Sequence, residues 1–279
     1  MVRAAFAFSL MALCVKLAGR TLPSMEVVFF RSLIGTIIIV AIIRAKGIPL
    51  WGNKERGLMT LRGLSGFLAL SLHFYTIKHL PIGTAVLLNY TAPIFAALLA
   101  TLFLKEKTGL LRVVLILISF WGVSLLVEAK FLVWDRLIFL GLLSAFFTGI
   151  VYVSIRAIRG ESPYTIIFYF TAVSTLGSVL FLPFGFRAPG LQESLILAAL
   201  GVASFYGQYW FTLSLQKAPP AVVGPFSFLT PLLSFVYGMI FFGDRPTATS
   251  LAGCVLIILS GSLMTYLEAR GNNITPSQS

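Results

Sequence analysis

Apolar runs follow one another along almost the whole chain, and short polar connections separate them. Each run has roughly 17–25 residues, the length that an α-helix needs to cross a lipid bilayer. Connections such as Leu22-Pro23-Ser24 carry residues that end helices and form turns. The pattern predicts an all-α integral membrane protein with ten transmembrane helices, at residues 2–18, 25–43, 58–78, 81–104, 110–127, 136–156, 164–183, 193–215, 220–242 and 248–268.

Two of these runs have proline, phenylalanine and acidic residues at matching positions, although few of their other side chains are identical. The runs are Pro81–Lys107 and Pro219–Arg245, which align at an offset of 138 residues. A proline inside a spanning helix leaves a backbone carbonyl without its donor, and lipid cannot satisfy that carbonyl. Matching breaks in the two halves of a chain therefore indicate a central site. The aligned pairs are Pro81 with Pro219, Pro93 with Pro231, Phe103 with Phe241, and Glu106 with Asp244.

The beginning of each half repeats a second pattern. Lys16 precedes Pro23 by seven residues, and Arg156 precedes Pro163 by seven. Five helices per half is an odd number, so the second half must enter the membrane from the opposite side. We therefore expect two inverted five-helix repeats, residues 1–128 and 129–268, and a disordered cytoplasmic tail, residues 269–279. The alternative is that prolines and basic residues punctuate any protein with many spans.

Composition excludes a soluble globular chain, because 58% of the residues are hydrophobic, 11% are charged and the mean hydropathy is +0.96. The formal net charge of +12 comes from 21 Lys and Arg against 9 Asp and Glu. These basic residues lie mainly in short connections, where they set topology and contact anionic lipid headgroups, so no nucleic-acid partner is expected. Cys14 and Cys254 lie in apolar runs, which favours packing over a disulfide or a metal site.

Basic residues are distributed unevenly between the two sides of the predicted bundle. Ten helices place both termini on one side, whose helix ends and loops hold thirteen basic residues, Arg62 among them, against seven on the other side. Arg31 remains within the membrane. The positive-inside rule then places both termini in the cytoplasm of a multi-pass protein of the cytoplasmic (inner) membrane.

Three stretches carry a resemblance to a known family: Phe74–Lys107, Phe242–Pro246, and the opening pattern Cys14-Val15-Lys16-Leu17 followed by Val28-Phe29-Phe30-Arg31. They resemble the drug/metabolite transporter superfamily, and within it the EamA-type carriers, over almost the entire chain. The resemblance implies a ten-helix carrier with two inverted repeats and a central cavity lined by helices 1, 3, 4, 6, 8 and 9. The chain departs from the pattern in its short amino terminus and in Asp244, where glutamate is usual.

Small and polar residues form a stripe on the fourth and on the ninth predicted helix. Their offsets of i, i+4, i+7 and i+11 place each stripe on one helix face. Such a stripe suits a cavity wall that exposes backbone to a solute, whereas close helix–helix packing requires the same small residues and is the alternative. The stripes are Asn89, Pro93, Ala96 and Ala100, and Ser227, Pro231, Ser234 and Gly238.

Arg31 lies about six residues into the second predicted helix, roughly 9 Å along its axis. A guanidinium at that depth is costly in lipid and should face the protein interior, a cavity or the headgroups. The functional interpretation is an anchor for a carboxylate or phosphate of a solute. The alternatives are pairing with a backbone carbonyl or Glu26, or snorkelling to the interface. Lys16 and Arg156, near helix ends, are either gate charges or interfacial anchors.

Six further candidates lie on helices that the resemblance places around the cavity. Aromatic rings among them can stack on a planar or amphipathic solute, although most aromatic residues of a membrane protein belong to its core or to interfacial belts. The basic candidates Lys16, Arg31 and Arg156 favour a solute with an anionic group. The six are His73, Tyr75, Tyr152, Gln208, Trp210 and Thr230.

None of the nine acidic residues is predicted at mid-span, whereas proton-driven carriers commonly use an intramembrane carboxylate as a relay. We therefore expect facilitative or exchange-type transport, or coupling through His73 or through another, less obvious group. The sequence predicts a secondary transporter, not an enzyme, that moves a small organic metabolite by alternating access. No cofactor or metal is expected, and a monomer suffices to form the cavity. The alternatives are a multidrug exporter and, outside the carriers, a membrane-embedded lipid-modifying enzyme.

Overall fold

The computed structural model describes most of the chain, and every regular element in the described part is helical. That part comprises residues 1–52, 55–92, 94–96, 98–99, 111, 114–115, 117–118, 121–122, 125, 136–158, 160–217 and 226–274. Its elements include a 3₁₀-helix at Leu182–Phe184 and a π-helix at Gly238–Phe242. The α-helices are α1 (Val2–Ala18), α2 (Ser24–Lys46), α3 (Arg56–His79), α4 (Ile82–Asn89), α5 (Arg136–Ala157), α6 (Pro163–Val179), α7 (Leu191–Lys217), α8 (Leu229–Tyr237) and α9 (Ala248–Ile274).

Four helical segments of the described part are long and apolar enough to cross a membrane: Ser24–Lys46, Arg136–Ile155, Pro163–Phe184 and Leu191–Ser214. Lengths and compositions of this kind describe a multi-pass helical membrane protein. Most of the predicted run 110–127 and the end of the run 81–104 lie outside the described residues. α9 continues to Ile274, so residues 269–274 of the predicted tail are helical, because a helix that has already formed adds one hydrogen bond for each further residue.

Local sequence explains where several helices begin and end. α2 ends before Gly47, whose left-handed conformation (φ 63°) turns the chain so that the N–H of Ile48 donates to the carbonyl of Ile43 at 3.1 Å. α6 begins after Ser162, whose Oγ accepts a hydrogen bond from the backbone N–H of Tyr164 at 3.3 Å. Pro163 follows at the first helical position, where no backbone donor is needed.

A turn interrupts the helix at equivalent positions of the two matched runs. α4 ends at Asn89 and the chain turns at Tyr90, while a turn at Phe228 separates α8 from the helical residues 226–227. Tyr90 and Phe228 are separated by the same offset as the two runs, and their ring centroids lie 5.8 Å apart. Each turn comes three residues before the proline of its run, because a proline cannot donate to the carbonyl one turn earlier. Pro93 itself lies outside the described residues.

Helices of the first half pack mainly against helices of the second half. α1 packs along α7 and α8, α2 along α6 and α7, α3 along α5 and α6, and α4 along α5 and α8. Two buried apolar clusters form at these contacts. The larger joins α1, α3 and α4 to Leu197 and Leu200 of α7, and the smaller joins α2 and α6 to Met59 and Phe205. The helices leave a cavity between them.

Candidate functional site

A cavity of about 140 Å³ lies between the helices, and each of α1 to α8 contributes to its wall. Apolar and aromatic side chains form most of the wall. The described lining residues include no Asp or Glu, while two of them are arginines. The charged and polar members are Arg31, Arg62, His73, Asn89, Thr148, Gln208 and Thr230.

Two arginines from neighbouring helices meet at one aromatic ring. The Cζ atoms of Arg31 in α2 and Arg62 in α3 lie 4.9 and 4.2 Å from the centre of the Phe170 ring in α6. Phe170 can occupy this position because Gly66 has no side chain, and a Cβ atom there would lie 2.7 Å from the ring. Cation–π attraction holds a guanidinium against an aromatic face without using its N–H donors.

Both guanidiniums are buried and only partly hydrogen-bonded. Arg31 is 1% exposed and Arg62 is 2% exposed. The Nε and Nη1 atoms of each have no hydrogen-bond partner in the described structure, whereas Nη2 of Arg62 donates to Oε1 of Gln208 at 3.3 Å. Glu26, a predicted alternative partner for Arg31, accepts instead from the backbone N–H of Arg187 at 3.1 Å. Buried donors without partners are costly, so these donors are available to a ligand.

Asn89 presents an acceptor to the cavity. Its Nδ2 donates to Oγ of Ser144 at 2.8 Å and to Oγ1 of Thr148 at 3.1 Å. Each hydroxyl has a single proton, and both protons are already donated: that of Ser144 to the carbonyl of Ala69, and that of Thr148 to the carbonyl of Ser144. The orientation of the amide is therefore determined, and Oδ1 is the group that Asn89 can offer to a ligand.

Aromatic side chains line a further part of the cavity. Tyr90 lines the cavity together with Thr230, whose hydroxyl donates to the carbonyl of Ala5 at 3.2 Å. The rings of Tyr152 and Phe211 pack with centroids 5.7 Å apart. Flat aromatic faces of this kind can bind the apolar part of an organic solute.

The structure brings half of the predicted site residues together in the cavity wall. His73 among them has an Nδ1 atom with no hydrogen-bond partner in the described structure. The resemblance implies a lining from the predicted helices 1, 3, 4, 6, 8 and 9. The structure adds the second and seventh predicted helices, which are α2 and α6, because the long side chain of Arg31 and the ring of Phe170 reach between their neighbours. The six residues are Arg31, His73, Asn89, Tyr152, Gln208 and Thr230.

Five other candidates do not line the cavity, and Pro93 lies outside the described residues. Positions i and i+2 of a helix point to nearly opposite sides, so Tyr75 and Trp210 face away when His73 and Gln208 face inward. Tyr75 is 41% exposed, and the Trp210 ring lies 5.0 Å beneath the Cζ atom of Arg3. The five are Lys16, Tyr75, Trp210, Ser227 and Pro231.

Lys16 joins two helices near one end of the bundle and does not line the cavity. It lies one helical turn beyond the lining residue Ala12, and its Nζ donates to the carbonyls of Lys78 at 3.2 Å and Leu80 at 2.5 Å. Lys78 in turn donates to the carbonyl of Leu22 at 2.9 Å. A cation at the C-terminal end of a helix is also stabilised by the helix dipole. These bonds tie the ends of α1 and α3 together. The side chain of Arg156 lies outside the described part of the chain.

Arg62 is a cavity residue that the sequence prediction assigns wrongly to the charged helix ends. The helix begins at Arg56 and not at residue 58, so Arg62 lies more than a turn and a half inside it. A signal is present in the sequence: Arg62, Gly66, Ala69 and His73 are spaced i, i+4, i+7 and i+11, the same offsets as the two predicted stripes. The cavity residues Tyr90 and Phe170 have no comparable signal among so many aromatic residues.

Comparison with known proteins finds similarity along nearly the whole chain. The chain is 34% identical over 262 residues to the pseudopaline exporter CntI of Pseudomonas aeruginosa (strain UCBPP-PA14), which is 93% of this chain and 92% of that protein. It is 26% identical over 286 residues to the riboflavin transporter of Brucella anthropi, which is 99% of this chain and 100% of that protein.

The fold and the family are supported by two further matches. A solved crystal structure with 19% sequence identity superposes with a TM-score of 0.67 and covers 97% of this chain and 96% of that one, so the two share a fold. The model of the EamA-like transporter family matches residues 1–128 and again residues 135–266. The chain therefore belongs to the EamA-like transporter family, as the sequence resemblance predicts.

Proposed function

We propose that this protein is a secondary transporter that moves a small organic metabolite across the cytoplasmic membrane by alternating access. The observation that carries the proposal is the cavity between the helices, in which two buried arginines hold N–H donors without partners. Ionisable groups inside a membrane protein mark solute pathways, because their cost in lipid must be offset by a function. Family membership and the names of the relatives favour a transporter over an enzyme.

We infer an architecture of ten spans in two inverted repeats, residues 1–128 and 129–268. The two separate matches of the family model support this division. Helix packing supports it too. In two such repeats α1 is equivalent to α5 and α3 is equivalent to α7, so the α1–α7 contact and the α3–α5 contact are equivalent to each other. The helices α2 and α6 are also equivalent, as are α4 and α8, and each of these pairs is in direct contact. The turns at Tyr90 and Phe228 add a pair of matching breaks, as expected beside a central site.

Alternating access requires that the cavity close at one end while it opens at the other. We place both termini in the cytoplasm, which makes the end of the bundle tied by Lys16 the extracytoplasmic one. Rocking of one repeat against the other would break the Lys16 bonds and open that end. The name of the pseudopaline exporter supports export as the first direction to test.

A transport assay on the purified full-length protein in proteoliposomes tests the proposal. Vesicles are loaded with pooled labelled metabolites, and efflux and uptake are both followed, with protein-free vesicles as the control. A carrier should give saturable flux of one chemical class, and unlabelled solute on the opposite side should accelerate it, which a channel would not show. Absence of flux in both directions for every pool, from folded protein, would contradict the proposed function, and a lipid-modification assay would then test the enzyme alternative.

A further inference from the structure

The cavity holds two positive charges, and the described residues of its wall provide no negative charge to balance them. We propose that Arg31 and Arg62 together bind the anionic end of the solute, and that this solute carries two negative charges on oxygen, as a dicarboxylate or a phosphate monoester. The proposal rests on the proposed function in one respect, namely that the cavity is the solute pathway.

The two guanidiniums are close enough to act on one ligand. Their Cζ atoms lie 4.9 and 4.2 Å from the centre of the same ring, that of Phe170, so the two charges are at most about 9 Å apart. The two carboxylates of a short diacid can span such a separation, and one phosphate group can bridge two guanidiniums that lie on the same face of the ring. Gln208 accepts from Nη2 of Arg62 and so orients that guanidinium, while Phe170 supports both without using a donor.

The free donors are of the kind that oxygen anions bind. Nε and Nη1 of both arginines lack partners, so each guanidinium keeps an unpartnered donor on its Nε/Nη2 edge and another on its Nη1/Nη2 edge, both available to carboxylate or phosphate oxygens. A buried structural arginine would normally be satisfied by a carboxylate or by backbone carbonyls. A neutral solute would leave both charges unbalanced, and a monoanion would leave one, so a dianion fits the site best.

This charge balance has a consequence for the transport cycle. A cavity loaded with a dianion has no net charge, whereas the empty cavity retains both positive charges, and charges are costly to move through a low-dielectric interior. Reorientation of the empty carrier should therefore be slower than that of the loaded carrier. Anion exchange should in turn be faster than net transport.

Binding to the purified full-length protein provides the first test. The unfolding temperature is measured at constant ionic strength with glutarate, glutaramate and glutaramide, which have similar size and carry two, one and no negative charges. Glycerol 3-phosphate and inorganic phosphate test whether the site binds a phosphate monoester or free phosphate. We expect stabilisation by the dianions, less by glutaramate and none by glutaramide. Arg31→Gln or Arg62→Gln should each weaken dianion binding about 10- to 100-fold, as expected for one charge-assisted contact.

Three variants serve as controls for the binding test. Arg44→Gln removes an exposed arginine of α2, the helix that carries Arg31, and should leave dianion binding unchanged. Arg31→Lys and Arg62→Lys keep the charge but lose the fork of donors, so they should bind dianions with intermediate affinity. If a glutamine variant does not fold, the lysine variant at the same position still tests the contribution of that arginine.

Stability without any ligand gives a second readout that does not depend on the choice of probe. An unpaired buried charge costs stability, so Arg31→Gln and Arg62→Gln should raise the unfolding temperature of the ligand-free protein. A lower unfolding temperature in both variants, together with dianions that stabilise the wild type no more than glutaramide does, would overturn the proposal.

The failures of the two proposals are distinguishable. Saturable transport of a neutral or cationic solute that no dianion inhibits would overturn the dianion site and leave the transport function standing. Dianion binding that requires both arginines, without flux of any pool in vesicles, would support the site and contradict the transport function.

Discussion

At the scale of single residues, Arg31 and Arg62 illustrate how far spacing alone predicts a site. An arginine well inside an apolar run must avoid lipid, so its depth predicts that Arg31 faces the interior, a cavity or the headgroups. Arg62 lies close to the predicted start of its helix, and an uncertainty of two residues in that start turns a buried residue into a surface charge. The need for a glycine at position 66 cannot be predicted at all, because it is set by the ring of Phe170 from a distant part of the chain.

Gly66→Ala should displace Phe170 and loosen both arginines. A Cβ atom at this position would lie 2.7 Å from the Phe170 ring and 3.5 Å from Nη1 of Arg62. We expect a loss of about 1–3 kcal/mol in the free energy of unfolding, as for other overpacked interiors, and weaker binding of dianions. Gly57→Ala is the matched control in α3, because nothing lies within 4 Å of the added atom. Equal unfolding free energies for the two variants would contradict the contact between Gly66 and Phe170.

At the scale of elements, hydropathy predicts the length of a helix but not the register of its hydrogen bonds. Residues 220–242 are predicted as one helix, whereas the described part of that run turns at Phe228 and ends in a π-helix. The prolines do predict a break, and the structure locates it three residues earlier. At the end of the run, Gly243 adopts a left-handed conformation (φ 69°) and the N–H of Asp244 donates to the carbonyl of Gly238 at 3.1 Å. No apolar pattern specifies that bond.

Pro231→Ala should restore a backbone donor to the first turn of α8 and favour a continuous helix through Phe228. Thr230 would then move away from Tyr90 and from the carbonyl of Ala5, which changes the cavity wall. We expect an unfolding temperature equal to or above that of the wild type, because alanine is a better helix former, together with a several-fold loss of solute flux.

Circular dichroism, thermal unfolding and vesicle flux measure the three effects of Pro231→Ala. Pro183→Ala, in the 3₁₀-helix outside the cavity, is the control and should leave flux unchanged. A parallel loss of stability and flux in Pro231→Ala would instead identify Pro231 as an ordinary packing residue.

At the scale of the whole molecule, the family and the existence of a central cavity are predictable, because the bilayer sets helix length and the matched prolines mark a common centre. The tie between α1 and α3 is not predictable from such features. It consists of three hydrogen bonds that join Lys16 and Lys78 to backbone carbonyls near the ends of the two helices. Lys16 has the same spacing in the sequence whether it serves as a gate or as an interfacial anchor, and only its contacts distinguish the two roles.

Lys16→Met should open the tied end of the cavity more often. Each charge-assisted hydrogen bond that Lys16 makes is worth about 1.5–3 kcal/mol, so losing them should raise the population open at that end at least about tenfold. Ala12→Cys, in a Cys14→Ser and Cys254→Ser background, reports this opening through its labelling rate with a membrane-impermeant thiol reagent added from outside the cell. Lys46→Met is the control. It removes the bond to Tyr164 at the C-terminal end of α2, away from the tie between α1 and α3, and should not increase that rate. Faster labelling in Lys16→Met alone would establish the tie as a gate, whereas an unchanged rate in a folded variant would make Lys16 a static cap of α3.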